Sequence, residues 1–372
     1  MAPGLAFSSW AGASVRPHGL RLAQMQALVI DQPRPVGESP LELVDLAEPQ
    51  AGQGELLLRV TASAVCRTDL QIATGDLPQH RSPVIPGHQA VGVVAGVGPG
   101  VDGWSIGERA GTTWLAGFDG ICGFCIEGRE NLCRAASFTG WDRDGGFAEY
   151  VTIRAGVAVR IPAELDDVAA APLLCGGVIG YRALRLSGVG SGGRLGLYGF
   201  GASARQAIQV ARHWGCEVHV ASRSRRDLDQ ATALGAASVG GYDDPPPAPL
   251  DAAITFAPIG SVVISALRAV DRGAPVVINA IHLDGIPAFS YDDLWWERSI
   301  RSVANVTRAD AREFMKLAAR IGISSEVEVH PLSSGNEALR RIESGEVAGA
   351  AVLIPGSTAG HLIDRTPPLS GN

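Results

Sequence analysis

Three of the six cysteines in this 372-residue chain fall within a dozen positions, Cys122-x2-Cys125-x7-Cys133. Disulfide frameworks belong mainly to short secreted chains, so a cluster of this kind in a long chain reads as metal ligation. Zinc in a closed structural site takes four tetrahedral ligands, and thiolates suit it best. Extending the same two-residue spacing backwards from Cys122 reaches Asp119, which gives a Cys3Asp set of Asp119, Cys122, Cys125 and Cys133. A carboxylate oxygen binds zinc at a similar length. A second constellation is dispersed: Cys66 in Cys-Arg-Thr-Asp, His88 in Gly-His-Gln, and Cys175 in Leu-Cys-Gly-Gly. Singly, each could be a buried core residue. Together, two thiolates and one imidazole form an open three-ligand zinc set with one position left for water or substrate.

A third signal is Gly199-Phe200-Gly201-Ala202-Ser203-Ala204, a G-x-G-x-x-A run between a short apolar strand and a helical stretch. Gly199 permits a tight turn, Gly201 lets backbone approach a pyrophosphate, and small Ala204 allows close helix packing. The helix N-terminus then stabilises the anion. An Asp or Glu about 20 residues on would accept the ribose 2′-hydroxyl of NAD. Here the chain reads Ser222-Arg223-Ser224-Arg225-Arg226. With Ser222 in place of a carboxylate and Arg223 beside it, the expectation is NADP(H) over NAD(H), since Arg pairs with a 2′-phosphate that a carboxylate would repel. The other reading is an exposed basic loop.

These residues need elements to hold them. Runs at 26–31, 55–65 and 90–101, with further short strands over 146–161, predict a β-rich, glycine-punctuated unit. A single apolar helical stretch is predicted over 167–186. Strand and helix then alternate: Leu195–Tyr198, Ala202–His213, Val218–Ala221, 225–235, Asp251–Phe256 and Pro275–Ala280. That alternation predicts a parallel sheet with crossover helices. A helix over 310–321 and a strand at Ala350–Ile354 are expected to return to the first unit. Residues 1–24 read as an extension, or as sequence ahead of a start at Met25, and the tail 356–372 as unstructured. At ~150 residues per domain the length suggests two domains.

Composition narrows the class. The net charge of −7 argues against a nucleic-acid or anionic-membrane surface, and 30 of the 31 basic residues are arginine, Lys316 being the lone lysine. No apolar run reaches the ~18 residues of a membrane span. A cytoplasmic protein is expected.

The sequence resembles the zinc-dependent alcohol dehydrogenases of the medium-chain dehydrogenase/reductase superfamily, in particular the bacterial branch with a Cys-His-Cys catalytic zinc. The resemblance is carried by Cys66-Arg67-Thr68-Asp69, Pro86-Gly87-His88, Cys122–Cys133 with Glu130-Asn131-Leu132, Asp144–Tyr150, Ala171–Cys175 and Leu195–Gly201. It implies a GroES-like catalytic domain (25–177, with a structural zinc lobe at 112–135), a Rossmann domain (178–304) and a return to the catalytic domain (305–355). It also implies that Cys66, His88 and Cys175 hold the catalytic zinc, Thr68 passes the alcohol proton, and Asp69 orients a ligand from behind. Three positions depart from the family pattern: Gln89 where Glu is common, Gln71 where many members place a relay His, and Asp119 for the first structural Cys. The expected activity is hydride transfer between an alcohol or aldehyde and a nicotinamide cofactor, by a dimer or tetramer. Trp114 and Leu115 are candidate pocket residues or ordinary packing. The rivals are a C=C or C=N reductase on the same scaffold, suggested by Gln71, and a non-catalytic nucleotide-binding or redox-sensing module.

Overall fold

The computed structural model describes residues 23–347 and 349–356, so the extension up to residue 22 and the tail beyond 356 lie outside the described residues. Two sheets carry the molecule. The β-rich sheet runs Val327–Pro331, Ala350–Ile354, Glu55–Val65, Gln89–Val97, Arg109–Gly111 and Val159–Arg160, with Tyr150–Arg154 also paired to Glu55–Val65. Its longest strand, Glu55–Val65, shifts register between Leu57 and Leu58 and again between Val60 and Ala62. Such bulges bend a strand and deepen its twist, which lets the sheet curl over Leu56, Leu58, Val94 and Val151. The last strand, Ala350–Ile354, lies antiparallel to the end of Glu55–Val65 with Val352 opposite Ala64.

The second sheet has six strands in the order Ser238–Gly240, Glu217–Ala221, Arg194–Tyr198, Ala252–Thr255, Pro275–Ile278 and Ser299–Ser302. Every pairing is parallel. This is the doubly wound Rossmann order, whose direction of winding reverses between Arg194–Tyr198 and Ala252–Thr255. Ligands of such sheets bind beyond the strand ends at that reversal, and there the chain places Gly199-Phe200-Gly201. The central strands are covered on both faces, so Leu195, Leu197, Tyr198, Val220, Ile254 and Val277 are all fully buried. The fold class is therefore the expected one, a GroES-like β unit with a Rossmann parallel sheet.

One element differs from expectation. The apolar stretch over 167–186 is not one helix but a short turn of helix, Asp167–Ala170, a tight turn, Ala171–Leu174, and a second helix, Gly176–Ser187. The two arms meet at 46°. Pro172 has no N–H to continue an α-helical ladder, and Cys175 leaves helical geometry at φ −123° and ψ −73°. The break turns the Cys175 thiol out of the helix and makes it the residue that precedes the next one. Among the described residues no single helix is long and apolar enough to cross a membrane.

Candidate active site and metal centres

The helix Arg67–Thr74 begins at Cys66, whose sulfur accepts the Thr68 N–H at 3.3 Å while its own N–H donates to Asp69 Oδ2 at 2.9 Å. This reciprocal cap fixes Cys66, Thr68 and Asp69 as one rigid unit. The other oxygen of Asp69 accepts from Gly87 N at 3.1 Å and lies 3.2 Å from His88 Nδ1. His88 and Asp69 are each 1% exposed. The imidazole therefore presents Nε2 forward, 3.5 Å from Cys66 Sγ. Gly87 makes the approach possible: it sits at φ +97°, and a Cβ there would fall 2.4 Å from Phe147 Cδ1. From the broken helix Cys175 completes the group, and the ligand atoms of Cys66, His88 and Cys175 all lie within 4.8 Å of one another.

The titration behaviour follows from this crowding. A hydrogen bond with the Cys175 thiol, working against burial and aided by His88, holds Cys66 well below the ordinary thiol range. The same bond and burial push Cys175 well up. Burial would lower His88, but the Cys66 thiolate and Asp69 outweigh it and push the ring up to about 10. Burial also raises Asp69. The donors thus share protons to balance charge, and a divalent cation at the centre would balance it instead. Two soft sulfurs and one imidazole nitrogen, with a carboxylate behind the imidazole, fit zinc.

The second cluster is equally compact. Asp119, Cys122, Cys125 and Cys133 bring one ligand atom each to within 4.8 Å of the others. The Sγ atoms of Cys122 and Cys125 are 3.5 Å apart, and Asp119 N approaches Cys133 Sγ at 3.5 Å. Asp119 Oδ1 accepts the N–H groups of Cys122 (3.0 Å) and Ile121 (2.9 Å), which hold its carboxyl well below the usual carboxylate range. Burial pushes the Cys125 thiol up to about 12. An ionised carboxylate among three thiols is a fourth ligand of the right charge and hardness for zinc.

Beside the first cluster stands an aromatic wall. Trp114 meets the His88 ring edge-on at 5.1 Å and stacks with Phe138 (5.2 Å) and Trp141 (5.8 Å). His80 stacks on Trp141 at 3.6 Å and pairs through Nδ1 with Asp142 Oδ1 at 2.7 Å. Trp114, Phe138 and Trp141 are only partly buried, and Trp114 brings the wall up to the His88 ring. Leu115 is fully buried and belongs to the packing behind it. Gln89 is buried, and Gln71 Oε1 is buried without a hydrogen-bond partner.

On the other side, Gly199 at φ +92° turns the chain out of its strand, where a Cβ would fall 2.7 Å from Ala257 N. Gly201 caps the helix Ala202–His213 with open space above it. Ala204 is fully buried, and its neighbour Ser203 packs on the helix Gly176–Ser187, whose Gly180 would place a Cβ 2.9 Å from Ser203 O. The helix that starts after Cys175 therefore packs on the helix that starts after Gly201, linking the two sites. A curated protein named "Probable alcohol dehydrogenase AdhA", from Mycobacterium tuberculosis (strain CDC 1551 / Oshkosh), is 47% identical over 338 residues, spanning 89% of this chain and 98% of its own.

The chain belongs to the zinc-dependent alcohol dehydrogenase family. Within that medium-chain dehydrogenase/reductase scaffold, residues 52–163 match the model of the alcohol dehydrogenase GroES-like domain. The structure of a cobalt- and zinc-bound thermostable alcohol dehydrogenase from Pyrobaculum aerophilum superposes with a TM-score of 0.80 at 26% identity, covering 90% of this chain and 100% of that one. An acetophenone reductase from Geotrichum candidum in complex with NAD gives 0.79 at 25% identity, covering 89% and 97%. This alcohol dehydrogenase is thus an oxidoreductase acting on the CH–OH group.

Two features of the enzyme escaped sequence reasoning. The wall of His80, Phe138 and Trp141 carries no periodic signal, because His80 stands 58 and 61 residues before the other two rings. The segment after the second Rossmann strand also has a carboxylate after all. Asp227, in the first turn of the helix Arg225–Ala233, accepts the Ser222 hydroxyl at 3.1 Å. The cap is Ser224, whose oxygen takes Asp227 N at 3.3 Å and folds that turn back onto Ser222. The S-x-x-D capping pattern at 224–227 was the available signal.

Proposed function

We propose that this enzyme is a zinc-dependent alcohol dehydrogenase that favours NADP(H) and also works as an aldehyde reductase. The observation that carries this reading is the convergence of Cys66, His88 and Cys175 beside Thr68, one helix pair away from the Gly199–Gly201 turn. When bound, zinc supplies a Lewis acid that polarises the substrate oxygen, and the nicotinamide supplies or accepts hydride. Cys66, His88 and Cys175 would hold the metal. Asp69 keeps the His88 Nδ1 proton engaged, so that Nε2 is left as the donor. Thr68, adjoining Cys66 in the capped turn, takes the hydroxyl proton of an alcohol or returns it to an aldehyde. With Gln71 in place of a relay His, the proton leaves through water and ribose hydroxyls. Trp114, Phe138 and Trp141 offer flat apolar faces beside His88, which favours planar or aromatic alcohols over small polar ones.

At the far end, Gly201 and the N-terminus of Ala202–His213 would receive the pyrophosphate. Arg223 is exposed and faces Tyr242, whose hydroxyl burial pushes up while Arg223 and Ser222 hold it down. That position lets its guanidinium reach a 2′-phosphate. The test is to incubate purified protein with cinnamaldehyde and each reduced cofactor and to identify the product. Cinnamyl alcohol, formed with a higher kcat/KM for NADPH than for NADH, is the expected result. The saturated aldehyde would mark a C=C reductase, and no turnover by the zinc-loaded protein would mark a binding module.

A further inference from the structure

Asp227 creates a conflict at the cofactor end of the site. A carboxylate beside Ser222 should repel a 2′-phosphate, yet Arg223 stands next to it. The structure places a second arginine at that carboxylate. Arg205, on the helix that follows the glycine turn, lies 3.3 Å from Asp227 Oδ1, while Asp227 Oδ2 accepts from Ser222 Oγ. The Nε of Arg205 also donates to Phe200 O at 3.3 Å, inside the Gly199–Gly201 turn itself. The two side chains are only 20% and 24% exposed, so their attraction is less screened than that of a surface pair. The other cations nearby are differently engaged. Arg225 is 87% exposed and pairs with Asp229 on its own helix.

We propose that Arg205 and Asp227 form a clamp that sets the choice between a 2′-phosphate and a 2′-hydroxyl, a reading that rests on the dinucleotide site described above. While Arg205 holds it, the Asp227 charge is neutralised and the carboxylate is drawn toward the glycine turn. Arg223 then decides, and the phosphate is accepted. Released from Arg205, the same carboxylate is an acceptor for a ribose hydroxyl and a repellent for phosphate. The clamp is built of two elements, so it also ties the pyrophosphate turn to the ribose end of the pocket. The two side chains are positioning residues whose balance fixes selectivity.

Dissociation constants for NADPH and NADH, measured by nicotinamide fluorescence on full-length protein, test the clamp without reference to turnover. The quantity of interest is Kd(NADH)/Kd(NADPH). Asp227→Asn keeps shape and removes a charge that Arg205 already masks, so the ratio should stay within about threefold of wild type. Arg205→Met keeps the apolar stem and frees the carboxylate, and should lower the ratio about tenfold. The double variant should resemble Asp227→Asn, because without the carboxylate Arg205 has nothing to mask. An Arg205→Met ratio within twofold of wild type, or one that stays lowered in the double variant, overturns the clamp. A wild type that itself prefers NADH would instead overturn the role given to Arg223, and the Arg205→Met shift with its reversal in the double variant would still decide the clamp. Melting curves of all three variants identify any that fail to fold, and Arg205→Gln, which also removes the charge, takes the place of Arg205→Met if that variant does.

Discussion

At the residue scale, the site turns on one carboxylate. Asp69 serves three donors: Cys66 N at 2.9 Å, Gly87 N at 3.1 Å and His88 Nδ1 at 3.2 Å. An amide has only one acceptor oxygen, so Asp69→Asn must turn an NH2 toward one of those donors. Removing a partner behind a metal ligand typically costs about 10–100-fold in metal affinity or activity. Asp69→Asn is expected to show that loss in zinc affinity, read by competition with a chromogenic chelator. Retention of wild-type affinity would mean that His88 is oriented by packing alone. In the proposed reaction Thr68 acts later, on the proton. Thr68→Ala should lower kcat for alcohol oxidation by about 10²–10⁴-fold, with cofactor dissociation constants unchanged, and Thr68→Ser should keep most activity. Equal turnover in wild type and the alanine variant would show that the proton leaves by another route.

At the element scale, what matters is where helices and strands stop. His88 reaches its place because Gly87 takes a positive φ and its missing Cβ leaves room for Phe147. Gly87→Ala should destabilise the fold by about 1–3 kcal/mol from overpacking, with added strain from the left-handed backbone. Urea unfolding with zinc analysis checks both, and an unchanged midpoint with full zinc would show that Phe147 can move aside. The same scale explains what the sequence made legible. The glycine turn was readable because its strand, its turn residues and its helix are contiguous, and each has its own period. The capped turn at Cys66–Asp69 is local in the same way. The break at Cys175 had one local signal, Pro172, but the stretch over 167–186 keeps its apolar character throughout, and packing against both sheets helps to decide where it bends. The clamp at Asp227 and the wall around Trp141 depend on side chains brought together by tertiary folding, which no local pattern records.

At the scale of the whole molecule, the lobe that carries Asp119 and Cys133 fastens the return of the chain. Its Glu130 carboxylate is 2% exposed and accepts both the backbone N–H (2.8 Å) and the Nε (3.0 Å) of Arg308, where the helix Arg308–Ile321 begins. Asn131 donates to Ala304 O at 2.7 Å, and the Arg308 guanidinium lies 4.5 Å over the Phe118 ring. Loosening the lobe should therefore be felt well beyond it. Zinc analysis should find about two ions per chain if both donor sets are filled. Asp119→Ala should lower the melting temperature by several degrees while keeping the ion held by Cys66, His88 and Cys175. Loss of both ions, or an unchanged melting temperature, would deny the lobe a separate structural role.

Glu130 gives that fastening a pH dependence whose sign can be worked out. Burial pushes its carboxyl up, but the hydrogen bonds from Arg308 and the neighbouring charge prevail and hold it below the usual carboxylate range. A group depressed in the folded state stabilises the fold above its unfolded value, ~4.3 for Glu, and that stabilisation is lost as pH falls through the folded value. Glu130→Gln removes the charge but keeps the shape. It should cost about 1–2 kcal/mol at pH 7, less than a fully buried ion pair because Arg308 is 34% exposed. The gap between wild type and variant should then close as the pH is lowered below about 4, where the wild-type carboxyl also gains a proton. Both proteins carry the same thiolate clusters, so acid loss of metal affects them alike and the difference isolates Glu130. Chemical unfolding of the pair at pH 7, 4 and 3 measures it. A difference that stays constant across that range would show that Glu130 contributes through shape and neutral hydrogen bonding, and that its charge does not hold the lobe to the returning helix.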